Sequence, residues 1–343
     1  MAQDFVVLDI ADTEIRLADV RKTGNLFEAN ALGRGEADPL FFKSDVDKNI
    51  DTQSENLSAL LAKNNVYKRD VAIVIPDSYT YSRFIDMPKL NEKELLSAVK
   101  YQADQFIPMP LEDTNIDIEI VYEDLDARKN LALIVAAPKK IIQKIERTVE
   151  RAGLAPVVIE SEISAAGRLF SSIFKPQASL NNAGYLFINF GSQTTSLYFF
   201  DIQRNILVYS HNFAIGYNLF IKEIQVNLNV DHPKAEELLK TFGITPNSSY
   251  HLETILAPAI KDFLTEIQHA TTLITSTFKK QIQGVYLFNN TSKFHGFDVL
   301  VGKYLAIPSA TLNISSFFTK NNISNLHRED MPYYIPAVGG NLT

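Results

Sequence analysis

The chain has 343 residues, a net charge of -7, 46% apolar and 21% charged residues, and no cysteine. That length exceeds what one hydrophobic core usually serves, so two lobes are expected, and the composition excludes wholesale disorder. Disulfides and thiolate chemistry are excluded, and without a run of five or more Lys/Arg there is no electrostatic footprint for nucleic acid or an anionic membrane.

Residues 4–10 read as a buried strand, not a signal peptide, because no basic n-region or long apolar core precedes them. The longest apolar stretch, around 131–138, is too short to span a bilayer. A cytoplasmic location is therefore expected, with any membrane association supplied by a partner. A second strand over 13–20 follows the short turn Ala11-Asp12, which suits a hairpin. Residues 54–64 read as a helix and 70–76 as another buried strand.

From 79 the pattern forms a module of its own. A strand at 79–85 leads to a helix over 91–106, with Asn91 as N-cap and Leu95, Val99, Ala103 and Phe106 on one face. Pro108 and Pro110 stop it. Strands follow at 116–120 and 131–136, then a helix from 141 to 149 capped by Gly153, then a strand at 156–159. This order predicts an inserted split βαβ subdomain over 79–160 in a first lobe whose core is 1–78. Residues 161–182 return to that lobe and connect onward.

The second lobe, 183–343, opens as the first does: a strand at 184–190, the turn Gly191-Ser192-Gln193, a return strand at 194–200, and a third strand at 205–209. Helices are expected at 216–228 and 232–241, and over about 252–280 with a kink or break at Pro258, so that 216–283 forms a helical upper part. A strand at 285–288 and a final α/β portion follow. Of the paired aromatics, Phe199 and Phe200 should face opposite sides of a sheet, with one of them free to cover a partner site. The six histidines, at 211, 232, 251, 269, 295 and 327, include no pair three or four apart, so no metal site is expected from them.

The two hairpins are the candidate chemistry. A carboxylate-ended strand, a small turn and a hydroxyl-bearing return strand can cradle phosphate on backbone N–H groups, and the carboxylate can hold Mg²⁺ through water. Each hairpin alone is equally an ordinary β-turn; the signal is the pair, at corresponding places in two lobes.

These segments resemble the actin-like ATPase superfamily and, within it, the PilM family of type IV pilus assembly proteins. LDIADTEIRLADV, residues 8–20, resembles the first phosphate motif, and INFGSQTTSLYFFD, residues 188–201, the second. The most family-specific text is MPKLNEKELLSAVKYQADQFIPMPLED, residues 87–113, and LIVAAPKKIIQKIERTVERAGLAPVVIESE, residues 133–162. The resemblance implies a two-lobed α/β actin-like ATPase fold with an inserted subdomain of the FtsA/PilM type. It places Asp9, Ala11, Asp12, Thr13 and Arg16 at the first phosphate turn, with Asp9 as the Mg²⁺ carboxylate, and Asn189, Gly191, Ser192, Gln193, Thr194 and Thr195 at the second.

It also exposes departures. Ala11 stands where the family has Gly, Arg16 where it has Lys, Asn189 where it has Asp, and Gly216-Tyr217 where it has paired glycines. The glycine cluster on the adenosine side reads Asn289-Asn290-Thr291, and Asn side chains take room the nucleotide needs. Glu236 and Lys240 match the adenosine-side helix, or form a solvated i,i+4 pair. Glu160 or Glu162 would orient the attacking water if hydrolysis occurs, or serve as structural acids. A degenerate ATP and Mg²⁺ site is therefore expected.

The resemblance further implies a scaffold. An N-terminal cytoplasmic peptide of a PilN-type inner-membrane protein would dock between the first core and the insert, whose apolar residues include Leu95, Val99, Phe106, Ile107 and Met109. The same residues could equally be the insert's own core. Other pilus platform components and a homo-oligomer are further partners it allows. Two alternatives stand: a working actin-like ATPase that switches with ATP, and a scaffold of a type II secretion or cell-division machine.

Overall fold

The computed structural model describes residues 5–89, 94, 107–124, 128–175, 182–244 and 249–342. The chain divides into two compact units. The first holds Met1–Ile173, Phe317–His327 and Pro336–Thr343, and the second Phe174–Ser316 and Arg328–Ile335. The last part of the chain therefore returns to the first unit. Expectation placed everything after 182 in the second lobe; contacts between segments three hundred residues apart leave no local mark in a sequence.

The first unit opens with β1 (Val6–Ile10) and β2 (Glu14–Thr23), followed by β3 (Leu26–Glu36), α1 (Asp47–Lys63) and β4 (Asp70–Ile75). After β5 (Tyr81–Pro88), β6 (Thr114–Asp124) and β7 (Lys129–Pro138) come α2 (Lys139–Arg151), β8 (Ala155–Ser161) and α3 (Glu162–Ile173). The main sheet has the order β3-β2-β1-β4-β8. β1 is buried on both faces, as expected of a run that is apolar but for Asp9. Leu8 and Ile10 pack with Leu57 of α1 and with Ile145 and Val149 of α2. The short helix α9 (Ile335–Gly340), which follows α4 to α8 of the later segments, lies against this unit. A Cβ on Gly339 would stand 2.0 Å from the Ala165 carbonyl of α3, and one on Gly340 2.7 Å from a Val7 methyl.

The insert is a separate three-stranded sheet, β5-β7-β6, antiparallel throughout. The expected module ran to 160, but β8 pairs in parallel with β4 of the main sheet, with α2 as the crossover. A half-buried strand reads the same whichever sheet it joins, so only its partner reveals the boundary. The helix expected over 91–106, with Leu95, Val99 and Phe106, lies outside the described residues except for Glu94, which is helical. Ile107 and Met109 pack into the insert's own core with Met87 and Ile134.

The second unit begins with β9 (Ala183–Phe190), β10 (Thr195–Asp201) and β11 (Ile206–Phe213). Helices α4 (Tyr217–Leu228), α5 (His232–Thr241) and α6 (Leu252–Phe278) come next. Then follow β12 (Gln281–Asn289), α7 (Phe297–Leu305) and β13 (Ser309–Thr311), while α8 (Asn322–Leu326) belongs to the returning segments. The sheet order β11-β10-β9-β12-β13 repeats that of the first unit, antiparallel on one side of the opening strand and parallel on the other. Phe199 and Phe200 do face opposite ways, toward Phe278 and Phe187 respectively. Both are fully buried, so neither is free to cover a partner. Pro258 does not interrupt α6; it sits on the exposed side near the helix start, where water can satisfy the carbonyl it leaves unpaired.

Candidate functional site

In the first unit the hairpin turn is closed by the Ala11 N–H donating to the Glu14 carbonyl at 2.9 Å. Ala11 is absent from the described positive-φ residues, so alanine causes no backbone strain here. Asp9 in β1 stands opposite Arg16 in β2, and Arg16 Nη1 donates to Asp9 Oδ2 at 2.9 Å. Asp9 is 0% and Arg16 1% exposed. The other Asp9 oxygen, Oδ1, is buried without a hydrogen-bond partner. Burial pushes the Asp9 carboxyl above its ordinary range, against the opposing pull of Arg16. Burial would lower Arg16, but the charges of Asp9 and Glu14 outweigh it and hold the guanidinium charged. Asp12 is turned inward as well: the Tyr79 hydroxyl donates to its Oδ1 at 2.7 Å. Thr13, at the tip, is exposed.

Glu162 starts α3 with its carboxylate buried, accepting the Asp77 N–H at 3.0 Å. Burial first, then the charges of Asp77 and Asp9, push this carboxyl well above the ordinary range. Because its folded-state pKa lies above the unfolded value, Glu162 favours folding most in acid. That contribution is lost as pH rises through the folded-state pKa. We expect Glu162→Gln, which keeps an oxygen for the Asp77 N–H, to shrink the difference in unfolding free energy between pH 5 and pH 8. Urea titrations at the two pH values check this; an unchanged difference sinks the assignment. Glu160, two residues earlier, is half-buried and accepts from Arg168 Nη2 at 2.6 Å. Burial raises its pKa and Arg168 opposes the rise.

In the second unit the turn after β9 is sewn to the start of α4. The Gly191 and Ser192 carbonyls accept the N–H groups of Tyr217 and Asn218, each at 2.9 Å. Those are the first amides of α4, the groups that would otherwise point at an anion. Gly216 makes the approach possible: a Cβ there would lie 2.5 Å from the Gln193 carbonyl carbon. Thr195 Oγ1 donates to the Ile215 carbonyl at 2.6 Å, and Thr194 Oγ1 accepts from Asn212 at 3.3 Å.

Asn189 and Asn289 meet directly, Asn289 Nδ2 donating to Asn189 Oδ1 at 2.9 Å. Asn289 has φ 69° and ψ -124°, a backbone state that favours glycine. Asn290 turns onto the Phe190 carbonyl at 3.2 Å. Both side chains thus lie buried against β9. On α5, Glu236 lies 3.8 Å from Lys293 Nζ, while Lys240 is exposed. Lys293 Nζ also sits over the Tyr217 and Tyr333 rings, 5.6 and 5.9 Å from their centroids. Tyr79 and Lys293 carry no motif that marks them in the sequence; Asn189 and Asn289 were expected at the site, but not as each other's partner.

A groove of about 350 Å³ lies within the first unit between the insert and the main sheet. Ile75, Ile142, Val157 and Ile159 line one wall, and Ile116, Asp117 and Val135 the other. Its rims are two outermost strands, β8 of the main sheet and β6 of the insert. β8 carries a bulge at Val157, which has no partner in the β4 register and is 48% exposed. Sequence reasoning expected a partner groove between core and insert but named none of these residues.

Two sheets of matching strand order, each opened by a hairpin, with an insert after β4, define the actin-like ATPase fold. Among solved structures, a chain of a PilM–PilN type IV pilus biogenesis complex matches with a TM-score of 0.86 at 19% identity, covering 100% of this chain and 98% of that one. The ethanolamine utilization protein EutJ from Carboxydothermus hydrogenoformans matches with a TM-score of 0.56 at 14% identity, covering 98% and 89%. A family model described as type IV pilus assembly protein PilM matches residues 7–342. The chain belongs to that family and has a role in type IV pilus assembly.

Proposed function

We propose that this chain is an adaptor of the pilus assembly complex, holding the N-terminal cytoplasmic peptide of a PilN-type inner-membrane protein in the groove between β8 and β6. The observation that carries the reading is a groove with an apolar floor and an open strand edge on each rim. An extended peptide can add main-chain hydrogen bonds to such an edge and seat alternate side chains in the floor. The likeness to a chain of a PilM–PilN complex supports it. No helix among the described residues is long and apolar enough to cross a membrane, so the reading has the protein in the cytoplasm, tethered by this peptide beside other platform components. A homo-oligomer is compatible with it.

The nucleotide site belongs to the same proposal, as a degenerate one. Asp9 keeps a free buried oxygen, but its other oxygen is tied to Arg16, and Asn189 offers an amide already committed to Asn289. A magnesium shell favours anionic oxygens. The first α4 amides serve their own turn, and Lys293 occupies the face of Glu236. This donor set fits Mg–ATP poorly. The retained Asp9 and Gly191 favour the alternative, a working ATPase.

The test is a titration with a synthetic PilN-type N-terminal peptide, with and without Mg–ATP. We expect one-to-one binding, indifferent to Mg–ATP and lost in Val157→Arg. Absence of binding, or binding only with Mg–ATP, refutes the adaptor reading.

A further inference from the structure

Resting on that docking, we infer that the groove selects a peptide with a Lys or Arg set between apolar residues, and that Asp117 and Glu146 are the residues that select it. Three carboxylates from three different elements line the groove: Asp117 on β6, Glu146 on α2 and Glu160 on β8. No Lys, Arg or His lines it among the described residues. Glu160 is already bridged by Arg168. Asp117 and Glu146 have no ion pair among the described residues.

An apolar peptide laid over Ile116, Ile142 and Val157 removes water from beside these two carboxylates. Partial desolvation of an uncompensated charge is costly, and a cation on the incoming chain removes that cost. A neutral or acidic peptide of the same shape is penalised by the same term, which makes the pair a rejecting element as well as an attracting one. The occupant's chemistry agrees: a cytoplasmic segment flanking a membrane span carries an excess of Lys and Arg.

The experiment uses the full chain and two fluorescein-labelled peptides: the cytoplasmic N-terminal segment of the cell's PilN-type protein, and the same segment with every Lys and Arg replaced by Gln. Asp117 is exposed and Glu146 half-exposed, so Asp117→Asn/Glu146→Gln should fold as the parent does, which circular dichroism melts verify. We expect the double variant to weaken the basic peptide roughly tenfold or more in low salt, to leave the Gln peptide nearly unchanged, and to flatten the salt dependence. Charge selection is overturned if the double variant binds the basic peptide as tightly as the parent, or weakens both peptides equally, or if the native segment carries neither Lys nor Arg. Those outcomes leave the docking itself intact. Binding that survives Val157→Arg removes the docking and this inference together.

Discussion

Replacing Arg16 with methionine is expected to cost the protein about 3–5 kcal/mol of folding free energy. Arg16 is the cation that faces Asp9 at 2.9 Å and Glu14 at 3.8 Å, with Glu162 also acting on it. Methionine fills much of the volume but leaves Asp9 buried with no counter-charge. Losing one partner of a buried pair is far worse than losing both. Asp9→Asn in the same chain should therefore recover a large part of the loss. The single variant should suffer least in acid, where Asp9 can take up a proton, and progressively more toward pH 8, since its folded-state pKa, already raised by burial, rises still further without Arg16. Urea unfolding of the parent, the single and the double variants decides it. A single variant within 1 kcal/mol of the parent at pH 8, with no rescue by Asp9→Asn, would falsify the account.

The second large effect runs against helix propensity. Alanine for glycine inside a helix normally gains up to about 1 kcal/mol. Gly339→Ala should instead lose about 1–3 kcal/mol or more, because the new methyl meets backbone. Its nearest neighbour is the Ala165 carbonyl oxygen at 2.0 Å, part of α3 and unable to rotate away. For Gly340→Ala the nearest atoms are Val7 methyls at 2.7 and 3.2 Å and a Glu160 oxygen at 3.3 Å, none of them backbone. Side-chain ends can yield, so this variant should lose less. Thermal melts of both variants test the ranking; equal or inverted losses contradict the close approach of α9 to α3.

The two hairpins were legible because β1, β2, β9 and β10 carry uninterrupted or alternating apolar runs around short turns, and both signals are local. The insert's strands were legible for the same reason. Where a strand goes is another matter. The 156–159 segment reads as a half-buried strand in either sheet, and only its pairing with β4 assigns it. At the candidate site the residue types were visible, but their partners were not. Asn189 and Asn289 are one hundred positions apart, and Lys293 lay beyond any motif that pointed to Glu236. The groove was anticipated as a place and not as residues, since its walls come from two sheets and a helix that only folding brings together.

The return of 317–327 and 336–342 to the first unit has a consequence for synthesis. The strands that open this unit leave the ribosome about three hundred residues ahead of the segments that finish it. At ordinary elongation rates the delay is on the order of tens of seconds. During that interval the apolar flank around Val7 and Ala165 stays uncovered, so the nascent chain is a natural client for chaperones until residues 336–342 have been made.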